Sequence, residues 1–171
     1  MEERVGIVTM KGKGLTLVGR ERHMGDPAPD AEVLDNDLGP VSLSSFRGKV
    51  LVISSVPSLD TPVCELETIR FNDEAAKLGP DVTIVTISMD LPFAQKRWCG
   101  AAGVEKVATL SDHREAAFGM AYGVLIKELR LLARAVFVVD REGIIRYTQI
   151  VKEIADEPDY DAVLEVVHML V

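Results

Sequence analysis

The stretch Val50-Leu51-Val52-Ile53-Ser54-Ser55-Val56-Pro57-Ser58-Leu59-Asp60-Thr61-Pro62-Val63-Cys64 decides the fold. It opens with a continuous apolar run, the signature of a strand buried on both faces. It ends on Thr61-Pro62, a helix-start signal. Threonine suits the N-cap, and proline suits the first helical position, whose N–H would be unpaired anyway. A helix is predicted over Pro62–Leu78, with Leu66, Ile69 and Ala76, and Phe71, Ala75 and Leu78, at three- and four-residue spacing. Gly79-Pro80 stops it.

The same alternation continues downstream. Val82–Ser88 is a second buried run, residues 107–110 a weaker third and Ala135–Val139 a fourth. Asp140-Arg141-Glu142-Gly143 then turns the chain into residues 144–151, which read as a hairpin partner. Helices are expected over residues 92–99, 114–122 and 159–170. Upstream, residues 5–18 read as two short strands joined by Lys11-Gly12-Lys13-Gly14, an N-terminal β-hairpin. Residues 31–34 suggest a short strand in a turn-rich connection, and residues 42–46 a helical turn. This order predicts an α/β protein of one domain, residues 1–171. Its central mixed sheet is flanked by helices, with parallel strands in the middle and an antiparallel edge.

Composition narrows the function. The chain has 171 residues, 47% hydrophobic and 27% charged, an ordinary globular balance. With 27 Asp+Glu against 19 Lys+Arg and a formal charge of −8, it has no field to draw phosphate backbones or anionic membranes. No apolar run reaches the length of a membrane span, and Met1-Glu2-Glu3-Arg4 is no secretory signal, so a cytoplasmic protein is expected. His23, His113 and His168 are scattered without ligand spacing, and no metal site is predicted. The two cysteines, Cys64 and Cys99, are too few for a disulfide scaffold and do not form Cys-x-x-Cys. They are either inert core residues or redox chemistry.

Cys64 falls in the first turn of the predicted helix, near free backbone N–H donors and the positive end of the helix dipole. That position favours a thiolate, the nucleophilic form. The plainer alternative is a small apolar residue packed under the strand. Function in open α/β sheets gathers beyond the carboxyl ends of strands. Both cysteines follow such ends and are expected to project from the same end of neighbouring elements. Glu65 and Glu67 read as solvated-face charges, and Asp90 as a helix cap.

Pro57-x-x-x-Thr61-x-x-Cys64 resembles the active-site motif of the peroxiredoxins. The wider stretch from Pro57 to Cys64 resembles their thiol peroxidase subfamily, as does Ser88-Met89-Asp90-Leu91-Pro92-Phe93-Ala94-Gln95-Lys96-Arg97-Trp98-Cys99-Gly100. Ala133-Arg134-Ala135 and Glu157-Pro158-Asp159-Tyr160 match as well, so the likeness runs from about Gly14 to the C-terminus. One departure lies between Gly123 and Ala133, where a small glycine-containing loop is expected and Val-Leu-Ile-Lys-Glu-Leu-Arg-Leu-Leu stands instead.

The resemblance implies a thioredoxin-like fold and a peroxidase that uses no metal or organic cofactor. It implies that Cys64 is the peroxidatic cysteine, oxidised by a hydroperoxide to a sulfenic acid. Arg134 would stabilise thiolate and transition state, Thr61 would present its hydroxyl to sulfur and peroxide, and Pro57 would shield the sulfur. Each also has a plainer role: an edge charge, a cap, a strand end. Cys99 would be the resolving cysteine, closing an intrachain disulfide that thioredoxin or a similar dithiol reopens. A homodimer is implied, as is a taste for organic hydroperoxides, with Leu59, Phe93 and Leu131 as candidates to line a pocket. Two other functions compete: a cysteine hydrolase using Cys64, which would need a histidine base, and a non-catalytic redox-sensing or holdase module on the same fold.

Overall fold

The apolar runs become the interior strands of a seven-stranded sheet in the computed structural model, which describes residues 1–171. In chain order the strands are β1 (Glu3–Met10), β2 (Lys13–Val18), β3 (Glu32–Leu34), β4 (Pro40–Ser42), β5 (Val50–Ser55), β6 (Val82–Ser88), β7 (Ala108–Ser111), β8 (Leu125–Ile126), β9 (Leu131–Leu132), β10 (Ala135–Val139) and β11 (Ile145–Ile150). The helices are α1 (Pro62–Leu78), α2 (Pro92–Ala102), α3 (Ala117–Ala121) and α4 (Tyr160–Leu170). The large sheet runs β11-β10-β5-β6-β7-β3-β4, and a second sheet runs β1-β2-β8-β9.

Each central strand is buried on both faces because two cores sandwich it. Val50, Val52, Ile84, Val136 and Val138 pack under the long helices with Phe71, Val163 and Val167. Leu51, Ile53, Val85, Ile87 and Phe137 point the other way, onto Leu17, Ile126 and Leu132 of the second sheet. The alternation of Ile84 and Val85 between these cores is the period-two geometry of a strand.

β5, β6 and β7 run parallel, as expected. β10 does not: it lies antiparallel to β5, with Ala135 opposite Ser55. A parallel β10 would need a crossover carrying the chain back along the sheet. Here α3 is only one short helix, and the rest of the segment is spent on the β8–β9 hairpin, which pairs with β2. The chain therefore re-enters the sheet at the end where it left. The 123–133 departure is this hairpin, not an open loop. The Glu128 carboxylate pins it to β2, accepting the Thr16 N–H at 2.8 Å and hydroxyl at 2.9 Å.

Other boundaries moved for local reasons. The N-terminal hairpin turns on two residues, Lys11 and Gly12, both at positive φ, with Met10 opposite Lys13. α2 runs one turn beyond the predicted residue 99, to Gly103 in the left-handed region. α3 is shorter than expected because the buried Asp112 carboxylate accepts the N–H groups of Phe118 and Gly119, fixing the helix start late. No helix is long and apolar enough to cross a membrane.

Candidate active site

β5 delivers the chain to the sheet's carboxyl end, and Pro57, which is buried, begins the loop to α1. Thr61 is the N-cap by position, extended at φ −138° and ψ 148°, and Pro62 follows as the first helical residue. The first helical bond is the Glu65 N–H donating to the Thr61 carbonyl at 2.9 Å. The amides of Val63 and Cys64 precede it, so the helix presents free donors and its positive end beside Cys64. The cysteine is fully buried, packed with Val56, Leu59 and Trp98. The Thr61 hydroxyl neither caps the helix nor bonds the sulfur. It donates to the Ser58 carbonyl at 2.9 Å.

The reversed direction of β10 completes the site. Arg134 immediately precedes Ala135, which sits opposite Ser55, so its side chain starts beside the end of β5 where α1 begins. It is only 2% exposed. Nη2 donates to Cys64 Sγ at 3.2 Å and to the Ile154 carbonyl at 2.9 Å, and Nε donates to the same carbonyl at 3.1 Å. Nη1 donates to Glu67 Oε2 at 2.8 Å. Burial opposes the guanidinium charge, but the facing sulfur and the Glu67 carboxylate outweigh it and hold its pKa above the ordinary value.

Glu67 overturns its reading as a solvated charge: it is 0% exposed. Burial pushes its carboxyl up to about 7, against the pull of Arg134 and the Ser54 hydroxyl. The sequence did carry a signal. Cys64, Thr68 and Phe71 mark the buried stripe of α1 at positions i, i+4 and i+7, and Glu67 lies within that stripe. Tyr160 adds a second, half-buried acid nearby. Burial first, then its hydrogen bond to Glu157, raise its phenol well above the usual range.

Asp90 is not a helix cap either, since Leu91 holds that position without a side-chain bond. Its carboxylate accepts from the Ser58 hydroxyl at 2.7 Å, the Leu59 N–H at 2.8 Å and the Ser88 hydroxyl at 2.8 Å. It straps the Cys64 loop to the end of β6, where α2 begins.

The structure joins Cys64 to Arg134, keeps Pro57 and Thr61 on the loop that leads into Cys64, and leaves Cys99 apart. Both cysteines are free thiols. Cys99 lies two turns down α2 with its sulfur against β7, so the two do not project from one end as expected. Successive helix residues point 100° apart. Trp98 faces the Cys64 cluster, whereas Cys99 faces β7, its sulfur 3.3 Å from Thr109 Oγ1. Of the apolar wall candidates, Leu59 is buried against Cys64, Phe93 is 65% exposed, and Leu131 belongs to the second sheet. A cavity of about 410 Å³ lies beside the loop, lined by Leu59, Asp60, Asp90, Ala94, Arg97 and Trp98 among others. No group of three or more His, Cys, Asp or Glu side chains is placed to hold a metal ion.

The assembly is a thiol at a helix N-terminus, faced by a permanent cation whose other donors are fixed. Such donors stabilise negative charge on sulfur and on an oxygen leaving beside it.

Comparison with known proteins agrees with this architecture. A family model described as Redoxin matches residues 23–164, and the chain belongs to that family. Within it the likeness narrows to the thiol peroxidases. The thiol peroxidase of Bacillus subtilis (strain 168) is 56% identical over 164 residues, 96% of this chain and 98% of that protein. That of Oceanobacillus iheyensis is 59% identical over 157 residues, 92% of this chain and 95% of that protein. The crystal structure of a peroxiredoxin-like protein from Aquifex aeolicus superposes with a TM-score of 0.91 at 45% identity, covering 98% of this chain and 99% of that one.

Proposed function

We propose that this protein is a thiol-dependent peroxidase that reduces hydrogen peroxide and organic hydroperoxides. One observation carries the reading: the Arg134 guanidinium donates at 3.2 Å to a buried sulfur in the first turn of α1. In this mechanism the Cys64 thiolate attacks the terminal peroxide oxygen. The S–O bond forms as the O–O bond breaks, and the departing hydroxide or alkoxide takes up a proton. Cys64 is oxidised to a sulfenic acid and the peroxide is reduced to water or an alcohol. Arg134 stabilises the charge that passes from sulfur to oxygen. Pro57 keeps water from the sulfur. Thr61 turns its hydroxyl from Ser58 toward the incoming peroxide. No cofactor takes part.

Cys99 then resolves the intermediate. Its thiol attacks the Cys64 sulfenic acid, the disulfide forms, and water leaves. The two sulfurs face different surfaces, so α2 unwinds locally to bring their Cα atoms within ~7 Å. The Asp90 strap between the Cys64 loop and the start of α2 couples the two movements. Thioredoxin or a similar dithiol reopens the bridge by exchange. The cavity beside Leu59 and Trp98 gives an alkyl substituent a partly apolar berth next to the sulfur's own packing partners. Exposed Leu66, Leu91 and Phe93 around the site support a homodimer through this face. Two cysteines that stand apart as free thiols suit a reducing cytoplasm.

A hydrolase reading lacks support. The partner of the sulfur is a guanidinium, which cannot accept its proton, and no histidine bonds it. The decisive experiment measures peroxide consumption coupled to thioredoxin and its reductase. Cys64→Ser should show no turnover. Cys99→Ser should lose most coupled turnover yet still be oxidised once. Unimpaired turnover in Cys64→Ser would overturn the proposal and favour a holdase or another activity.

A further inference from the structure

Cys99 sits in a hydrogen-bonded chain that fixes the direction of its proton. Thr109 Oγ1 donates to Asn36 Oδ1 at 3.0 Å and lies 3.3 Å from Cys99 Sγ. A hydroxyl has one proton to give, and the Asn36 carbonyl oxygen has none. The proton in the remaining contact is therefore the thiol's own: Cys99 S–H donates to Thr109. Thr109 is 4% exposed on β7, so both of its contacts are made inside the protein. Asn36 is held as well. Its turn is closed by Asp35, which accepts the N–H groups of Asp37 and Gly39. The same turn is tied back to α2 by an ion pair, Lys96 to Asp37 at 2.8 Å. Lys96 and Cys99 are three residues apart, on one face of α2.

We propose that Thr109, oriented by Asn36, is a positioning residue that latches the Cys99 thiol against β7 and so sets the rate of disulfide closure. This rests on the roles given above to Cys64 and Cys99. In the resolving step the Cys99 S–H bond breaks, its sulfur joins Cys64, and the proton leaves with the sulfenic hydroxyl as water. That cannot begin until the S–H bond to Thr109 is given up and α2 loosens. While the latch holds, the Cys64 sulfenic acid stays open to a second peroxide, which would carry it to the sulfinic acid. Thr109 thereby tunes the balance between closure and overoxidation.

The test compares Thr109→Val, which replaces the hydroxyl with a methyl of similar size, and Thr109→Ser, which keeps it. After one equivalent of peroxide, closure is followed by stopped-flow fluorescence of Trp98, the single tryptophan. The valine variant should close roughly two- to fivefold faster, the worth of one modest hydrogen bond, and the serine variant should match the parent. Mass spectrometry should find correspondingly less sulfinic acid in the valine variant under excess peroxide. In a Cys64→Ser background, infrared spectroscopy reads the one remaining thiol directly. Its S–H stretch should move to higher wavenumber in Thr109→Val and stay put in Thr109→Ser. The latch is overturned if the valine variant closes no faster than the parent, if serine closes as fast as valine, or if the S–H band does not move. A parent protein that forms no disulfide would instead overturn the cysteine roles, and the infrared comparison would still decide whether the hydrogen bond exists.

Discussion

Glu67→Gln tests which force wins inside the buried charge cluster. The carboxyl is 0% exposed, with Arg134 2.8 Å away. Burial pushes its pKa up and the guanidinium pulls it down, and burial prevails, from 4.5 to about 7. The folded state thus holds the proton more tightly than the unfolded chain does. The stability this contributes is fully present below pH 4.5 and is lost as pH rises through about 7. A displacement of that size corresponds to roughly 3 kcal/mol. Glutamine has the same shape and no proton to lose. Its own cost from rearranged hydrogen bonds is independent of pH. Relative to the parent, the variant should therefore gain roughly 3 kcal/mol across that window. Both proteins would carry Cys64→Ser, so that the sulfur does not titrate, and would be unfolded in urea at a series of pH values. The two stability curves, subtracted, cancel every other ionisation. A difference that is flat in pH would refute the reasoning. A difference favouring glutamate as pH rises would mean that the ion pair outweighs burial.

Arg134→Lys keeps a positive charge but cannot reach sulfur, Glu67 and the Ile154 carbonyl at once. We expect the second-order rate of Cys64 oxidation to fall roughly 100-fold, read by stopped-flow fluorescence, and a near-wild-type rate would show that charge alone suffices. Asp90→Asn replaces a carboxylate that accepts three hydrogen bonds and should cost roughly 2 kcal/mol in urea unfolding. It should also speed hydrogen exchange at Leu59, and unchanged protection there would argue against the strap. Tyr122→Phe removes a hydroxyl that donates to the Pro29 carbonyl at 2.7 Å and should cost about 1 kcal/mol with no change in peroxide turnover.

The helices and central strands were legible where local chemistry decides. α1 carries its own boundaries, Pro62 at one end and Gly79-Pro80 at the other, and it spans Pro62–Leu78 as read. β6 and β10 are apolar on both sides because both faces are covered. The direction of β10 was not legible, because it depends on whether the preceding segment crosses the sheet or folds into a hairpin. Two-residue strands such as β8 and β9 leave too little periodicity to detect. At the site, Cys64 announced itself through Thr61-Pro62. Glu67 offered only its place on the buried stripe of α1, because its partner lies 67 residues away in the chain. A glutamate is read as solvated until a buried cation is found for it. The partner of Cys99 was hidden for the same reason, since Thr109 is an unremarked strand residue until α2 is laid across it.

The guanidinium that faces Cys64 comes from 70 residues further along the chain, and the carbonyl that anchors it from 20 beyond that. During synthesis the sulfur emerges long before the cation that faces it, and the two meet only when β10 zips onto β5 in register. Until then the growing polypeptide carries a thiol without the guanidinium that we propose activates it. A truncated or misfolded copy would keep only the slow peroxide chemistry of an ordinary thiol. On the proposed roles, catalytic competence is a late product of tertiary assembly.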